Sequence, residues 1–217
     1  MMSFSLSPSQ SRILLAELDH PGTSAYNIYF RMRFDPADEA LLRRAIPRVI
    51  SGNFGLRVRA GGDRGYEQYY SDQPATFEII DTDAPEETVA ALKKTPISPL
   101  FDAPLYRLYV LRAADAVWFF GAFHHLIADG TTLNTVLPAR LCDCMEALRQ
   151  GREWTAPEAG YDEYLRRVTA YLASPESAAD REYWLHHLGS FRGAGYRAPA
   201  LTKRVLSCDI PQALTAK

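Results

Sequence analysis

A chain of 217 residues that is 47% hydrophobic carries ample material for a packed core. Its 26 acidic and 24 basic side chains leave a formal net charge of −2, so electrostatics gives no reason to expect a nucleic acid or an anionic membrane as partner. No apolar run approaches the length of a membrane span, and Met1 to Ser5 has neither the basic region nor the apolar run of a secretory signal. Three cysteines, Cys142, Cys144 and Cys208, fit a reducing compartment, and the expected location is cytoplasmic.

In chain order, Ser7-Pro8-Ser9-Gln10 opens a first helix: Ser7 suits the N-cap, Pro8 the first helical position, and Gln10 can close a capping box. Ile13, Leu14 and Leu18 supply its apolar side. Residues 26–34 alternate, with Tyr26, Ile28, Phe30, Met32 and Phe34 on one face of a strand. Asp35-Pro36 then caps a helix carrying Leu41, Leu42, Ile46 and Val49, which Pro47 should kink or shorten. Strands are predicted over 56–59, 65–70 and 76–80, the last two joined by a short Ser-Asp-Gln-Pro turn, and a helix over 85–94. Residues 105–111 and 116–123 form an antiparallel hairpin. Helices follow over 131–148, with a flaw at Pro138, from Tyr161, and from a Ser174 cap to Leu188. Glycines 193 and 195 and Pro199 make residues 191–202 the most linker-like stretch, and a strand is expected over 203–210.

The stretch that carries chemistry is Phe123-His124-His125-Leu126-Ile127-Ala128-Asp129-Gly130, at the end of the apolar run Val117 to Ala122. A loop between a strand and a helix can present a side chain to a cleft while the strand holds it still. Adjacent residues on an extended chain point to opposite faces, so His124 and His125 do not readily share a metal, and His20, His186 and His187 lack ligand spacing; no metal is expected. The pattern left is one catalytic imidazole, one structural neighbour, an Asp that orders the loop, and a Gly that permits close approach.

His-His-x-x-x-Asp-Gly after a hydrophobic strand resembles the signature of nonribosomal peptide synthetase condensation domains and of the wider chloramphenicol acetyltransferase-like superfamily. Other segments resemble the family in the expected order: Ser7, Gln10 and Arg12 in the first motif; Leu56-Arg57 in the second, with Asn53, Phe54 and Val58 departing from it; Phe101-Asp102 with Arg107; Tyr161 to Tyr164; and Tyr183-Trp184 with Leu188. The resemblance spans Ser7 to Leu188.

That resemblance implies an α/β sandwich: a mixed β-sheet with helices mainly on one face, forming one lobe of a two-lobe domain. Residues 1–190 would be the N-terminal lobe, 191–202 a linker, and 203–217 the start of a truncated C-terminal lobe. It implies an acyltransferase that forms an amide between a donor acyl or peptidyl thioester and the amine of an acceptor aminoacyl thioester. Both would be held on the 4'-phosphopantetheine of peptidyl carrier protein domains, with no cofactor bound directly. His125 would be the catalytic imidazole, as base or by positioning, with His124 packed behind it. Asp129 would point away from substrate and pair with Arg57 to fix the loop, and Gly130 and Thr131 would line the channel. The one-lobe chain would be inactive alone, with an exposed, apolar half-channel. Alternatives are a stand-alone coenzyme A-dependent or epimerisation-type acyltransferase, against whose epimerisation form Thr131-Thr132-Leu133 argues, and a non-catalytic carrier-docking lobe.

Overall fold

The chain's computed structural model describes residues 3–61, 66–157 and 161–189. The linker expected at 191–202, the strand at 203–210 and the second-lobe start at 203–217 lie outside the described residues. The elements in order are β1 (Ser3–Ser5), α1 (Pro8–Asp19), β2 (Asn27–Phe34), α2 (Glu39–Ser51), β3 (Val58–Gly61), β4 (Glu67–Tyr70), β5 (Glu78–Asp81), α3 (Pro85–Leu92), β6 (Tyr106–Arg112), β7 (Val117–His124), α4 (Leu137–Arg149), α5 (Tyr161–Leu172) and α6 (Pro175–Leu188).

β7 holds the architecture together because nothing in Val117 to Ala122 wants water. It lies between β2 and β6, antiparallel to both, with Phe30 opposite Gly121 on one side and Tyr106 opposite Phe123 on the other. The period of two sends Val117, Phe119 and Phe123 into the main core and Trp118 and Phe120 to the opposite face. The main core is closed by α2, through Leu42, Ala45, Ile46 and Val49, and by α4, through Leu137, Leu141, Cys144 and Met145. On the other face, Val89 of α3 covers Phe120 and Tyr109. Each fully buried phenylalanine contributes roughly 1.5–3 kcal/mol relative to exposure, so this strand is fixed wherever its end must hold chemistry. At Gly121 the ring of Phe123 folds back so closely that an added Cβ would lie 2.5 Å from it.

The mixed α/β class is as expected, but the strands do not form one sheet. They divide into a four-stranded sheet, β2-β7-β6-β5, and a three-stranded sheet, β1-β4-β3. β4 and β5 part company: β4 pairs with β3 and β1, whereas β5 lies parallel to β6. Parallel pairing needs a crossover, which α3 and the segment after it supply. Leu56 and Arg57 form a 3-10 turn ahead of β3 instead of opening a strand. Pro47 sits inside a continuous α2. Pro138 falls in the first turn of α4, where its missing N–H matters least, and the chain from Thr132 to Val136 winds as a π-helical turn before it.

Candidate active site

The site begins where β7 stops. The His124 N–H donates to Leu105 O and the His125 N–H to Tyr26 O, each at 2.8 Å, so the strand end is tied on both sides. Alternation then does what the sequence predicts: the side chain of His124 is buried, at 1% exposure, and His125 is exposed. The chain turns at once, with Ile127 N–H donating to His124 O at 3.1 Å and Leu126 N–H to His124 Nδ1 at 3.2 Å.

That second bond settles the tautomer. Nδ1 accepts, so neutral His124 carries its proton on Nε2. Burial, and then the neighbouring His125, lower its pKa from 6.5 to about 4, so it is neutral at neutral pH. Its Nε2 lies 3.7 Å from Oε2 of Glu17, a carboxyl group whose pKa burial raises and His20 lowers. Desolvation therefore drives both partners towards their neutral forms, and the contact is not the ion pair its distance alone would suggest.

Gln10 fastens the turn from below. Its Oε1 accepts from Ser7 N–H at 2.9 Å, closing the predicted capping box. Its Nε2 donates to Leu126 O at 3.0 Å and to Gln68 Oε1 at 2.9 Å, while Gln68 Nε2 donates back to Gln10 Oε1 at 3.0 Å. Every polar site of this buried amide is used, which ties α1, β4 and the histidine turn into one unit.

Asp129 departs from expectation. Its Oδ1 accepts from Thr132 N–H at 2.7 Å and Thr132 Oγ1 at 2.8 Å, and these bonds hold its pKa below the ordinary value. Arg57 is elsewhere: its Nε donates to Ser71 O at 3.1 Å, its Nη2 pairs with Asp72, and its guanidinium lies 5.6 Å from the Phe54 ring centroid. The Arg57–Asp129 pair is therefore corrected. The turn after Phe54 keeps Arg57 on the β3–β4 side, and Asp129 is satisfied locally as a helix cap. Nor does Asp129 turn from the cleft, since it lines the same groove as His125. Gly130 and Thr131 are exposed at the start of the helical segment.

The groove beside His125 has a volume of about 310 Å³ and is walled by Gln10, Ile13, Ala128, Asp129, Thr132, Tyr161 and Tyr164. Tyr161 and Tyr164 stack with centroids 5.6 Å apart, and burial keeps the Tyr161 phenol protonated. The arrangement offers one accessible imidazole on a rigid strand end, against an apolar wall with a few polar groups, which suits proton transfer or hydrogen bonding to a substrate laid along it. No group of three or more metal-ligating side chains is found among the described residues, and none of their helices is long and apolar enough to cross a membrane. Sequence reasoning missed Glu17, Gln68 and the tyrosine wall. The capping box flagged Gln10, but only for its local bond; nothing local marks a residue that acts 116 positions away.

A family model described as the condensation domain matches residues 2–194. A plipastatin synthase polypeptide of Bacillus subtilis (strain 168) is 29% identical over 193 residues, covering 84% of this chain and 8% of that protein. A surfactin synthase polypeptide of the same organism is 26% identical over 237 residues, covering 97% and 6%. The starter condensation domain of the rhizomide synthetase RzmA superposes with a TM-score of 0.71 at 24% identity, over 89% of this chain and 49% of that one. The first condensation domain of the CDA synthetase gives 0.73 at 23%, over 88% and 52%. The chain thus spans about half the length of the solved domains and a small part of the synthetases, and it belongs to the condensation domain family.

Proposed function

We propose that the chain is the histidine-bearing N-terminal lobe of a nonribosomal peptide synthetase condensation domain. Residues 1–190 form the lobe, 191–202 the linker, and 203–217 the start of the second lobe. The observation that carries this reading is His125, exposed above the groove while its neighbour is locked in the core. The reaction joins two substrates on the 4'-phosphopantetheine arms of donor and acceptor peptidyl carrier protein domains. The acceptor amine attacks the donor thioester carbonyl, a C–N bond forms, the C–S bond breaks, and the amine proton passes by way of His125 to the departing thiol. A positioned general base contributes about 10²- to 10⁴-fold, and orientation of the two arms as much or more. Gly130 and Thr131 line the channel, and His124 and Asp129 hold the loop.

The chain alone is inactive, because half a channel cannot shut water from two thioesters. Large apolar side chains at its surface, among them Leu15, Tyr164, Trp184 and Leu188, support a second lobe packed against this one. A coenzyme A thioester donor is the second reading, favoured by one observation: a rhizomide synthetase starter domain has been solved in complex with C8-CoA. The test loads donor and acceptor carriers and follows amide formation by intact mass. It compares the chain, a form extended by a second lobe, and the extended form with His125→Ala. Product from the extended wild type only is expected. Consumption of a coenzyme A thioester with no use of carriers moves the assignment to the second reading.

A further inference from the structure

The catalytic reading uses His125 and leaves a buried carboxyl group behind it unexplained. Glu17 sits on the inner face of α1 at 3% exposure, in a helix whose other buried residues are Gln10 and Leu14. Among the described residues its Oε2 has no hydrogen-bond partner, and neither does Nε2 of His124; the two orphaned atoms face each other at 3.7 Å. Burying one unpaired polar group is costly, and burying two side by side is tolerable only if they meet. Position 17 falls in the helical run Ile13-Leu14-Leu15-Ala16-Glu17-Leu18, where an apolar residue would fill the same space without that cost.

The chemistry of the pair is directional. Nδ1 of His124 is occupied by the Leu126 N–H, so Nε2 is a donor aimed out of the turn. A carboxyl oxygen accepts from it whether or not Glu17 is ionised. We propose that Glu17 is a positioning residue: with a small closure of the 3.7 Å gap it accepts the Nε2–H of His124, locks that ring against α1, and so fixes the turn that presents His125 to the groove. Together with Gln10, which grips Leu126 O, it gives α1 two holds on the turn, one on its backbone and one on its histidine. The catalytic part of this proposal rests on the role given to His125 above; the hydrogen bond does not.

The experiment is ring-nitrogen NMR on the 217-residue chain, followed by kinetics in a form extended by a second lobe. The wild type is expected to show His124 as a single Nε2–H tautomer, with a downfield Nε2 proton protected from exchange. Glu17→Gln keeps an acceptor and retains this signal. Glu17→Met keeps the bulk, loses the acceptor, and is expected to lose the protected proton and lower kcat by roughly ten- to a hundredfold with KM little changed. An unprotected Nε2 proton or an Nδ1–H tautomer in the wild type overturns the proposal without any variant, as does a protected proton that survives in Glu17→Met. Full kcat in a folded Glu17→Met that has lost the proton overturns the positioning role while leaving the bond. If the extended wild type makes no amide while the NMR signature holds, the assignment of the reaction fails and the Glu17–His124 bond stands.

Discussion

Acid should destabilise this fold through a single buried imidazole. His124 titrates at 6.5 when unperturbed and at about 4 in the folded chain. Between those values the unfolded chain holds a proton that the folded chain does not. The contribution is therefore complete above the unfolded value and is lost as pH falls towards the folded one, at about 1.4 kcal/mol per pH unit. Going from about pH 7.5 to about pH 5, the loss is about 2 kcal/mol. Glu17 acts in the opposite sense: its folded pKa is raised, so its contribution is present below 4.5, is lost as pH rises through the raised value, and is partly regained on acidification. His125 is the second cause of the lowered His124 pKa, after burial. The assay is urea unfolding of wild type and His124→Asn at the two pH values. Asn can still accept from Leu126 N–H but carries no titrating ring. The wild type should lose about 2 kcal/mol more than the variant, a midpoint shift of about 1 M at a urea slope of about 2 kcal/mol/M. Equal losses would refute the neutral buried histidine. A smaller loss in the wild type would mean that His124 and Glu17 form a true ion pair.

Four further outcomes are expected. Gly130→Ala should leave stability within about 0.5 kcal/mol, since the nearest atom to the new methyl group is Asn134 Nδ2 at 3.8 Å; condensation by an extended form should nonetheless fall if this surface lines the channel. Gly121→Ala should cost about 1–3 kcal/mol in thermal or urea unfolding, because its methyl group meets the buried Phe123 ring. Gln10→Ala should cost about 3 kcal/mol in the same unfolding assays, as it leaves Ser7 N–H, Leu126 O and the Gln68 amide short of their partner. Arg57→Ala and Asp129→Asn should act additively on stability, since their contacts are separate; a coupling well above about 0.5 kcal/mol in a double-mutant cycle would restore the discarded pair.

Part of this could be read directly because the signal is local. The Ser7 cap, the Ser174 cap, the alternation along β2 and the apolar run of β7 each depend on residues a few positions apart, and the structure agrees with them. The opposite fates of His124 and His125 follow from the strand period alone. The apolar run Val117 to Ala122 placed the motif histidines at a strand end, and the groove lies beside His125.

The order and type of most elements, the fold class and the family were all legible in the amino-acid order, because they rest on periodicity, capping and motif spacing. Three things waited for the folded chain: which strands share a sheet, that Arg57 reaches Asp72 and not Asp129, and that Gln10 and Glu17 converge beneath the histidine turn. The physical reason is common to all three. A short strand such as Glu78–Asp81 is equally able to pair with either neighbour until the chain between them is placed. A long arginine likewise takes whichever carboxylate the backbone brings within reach. A buried polar residue looks like a break in an apolar helix face until its distant partner arrives.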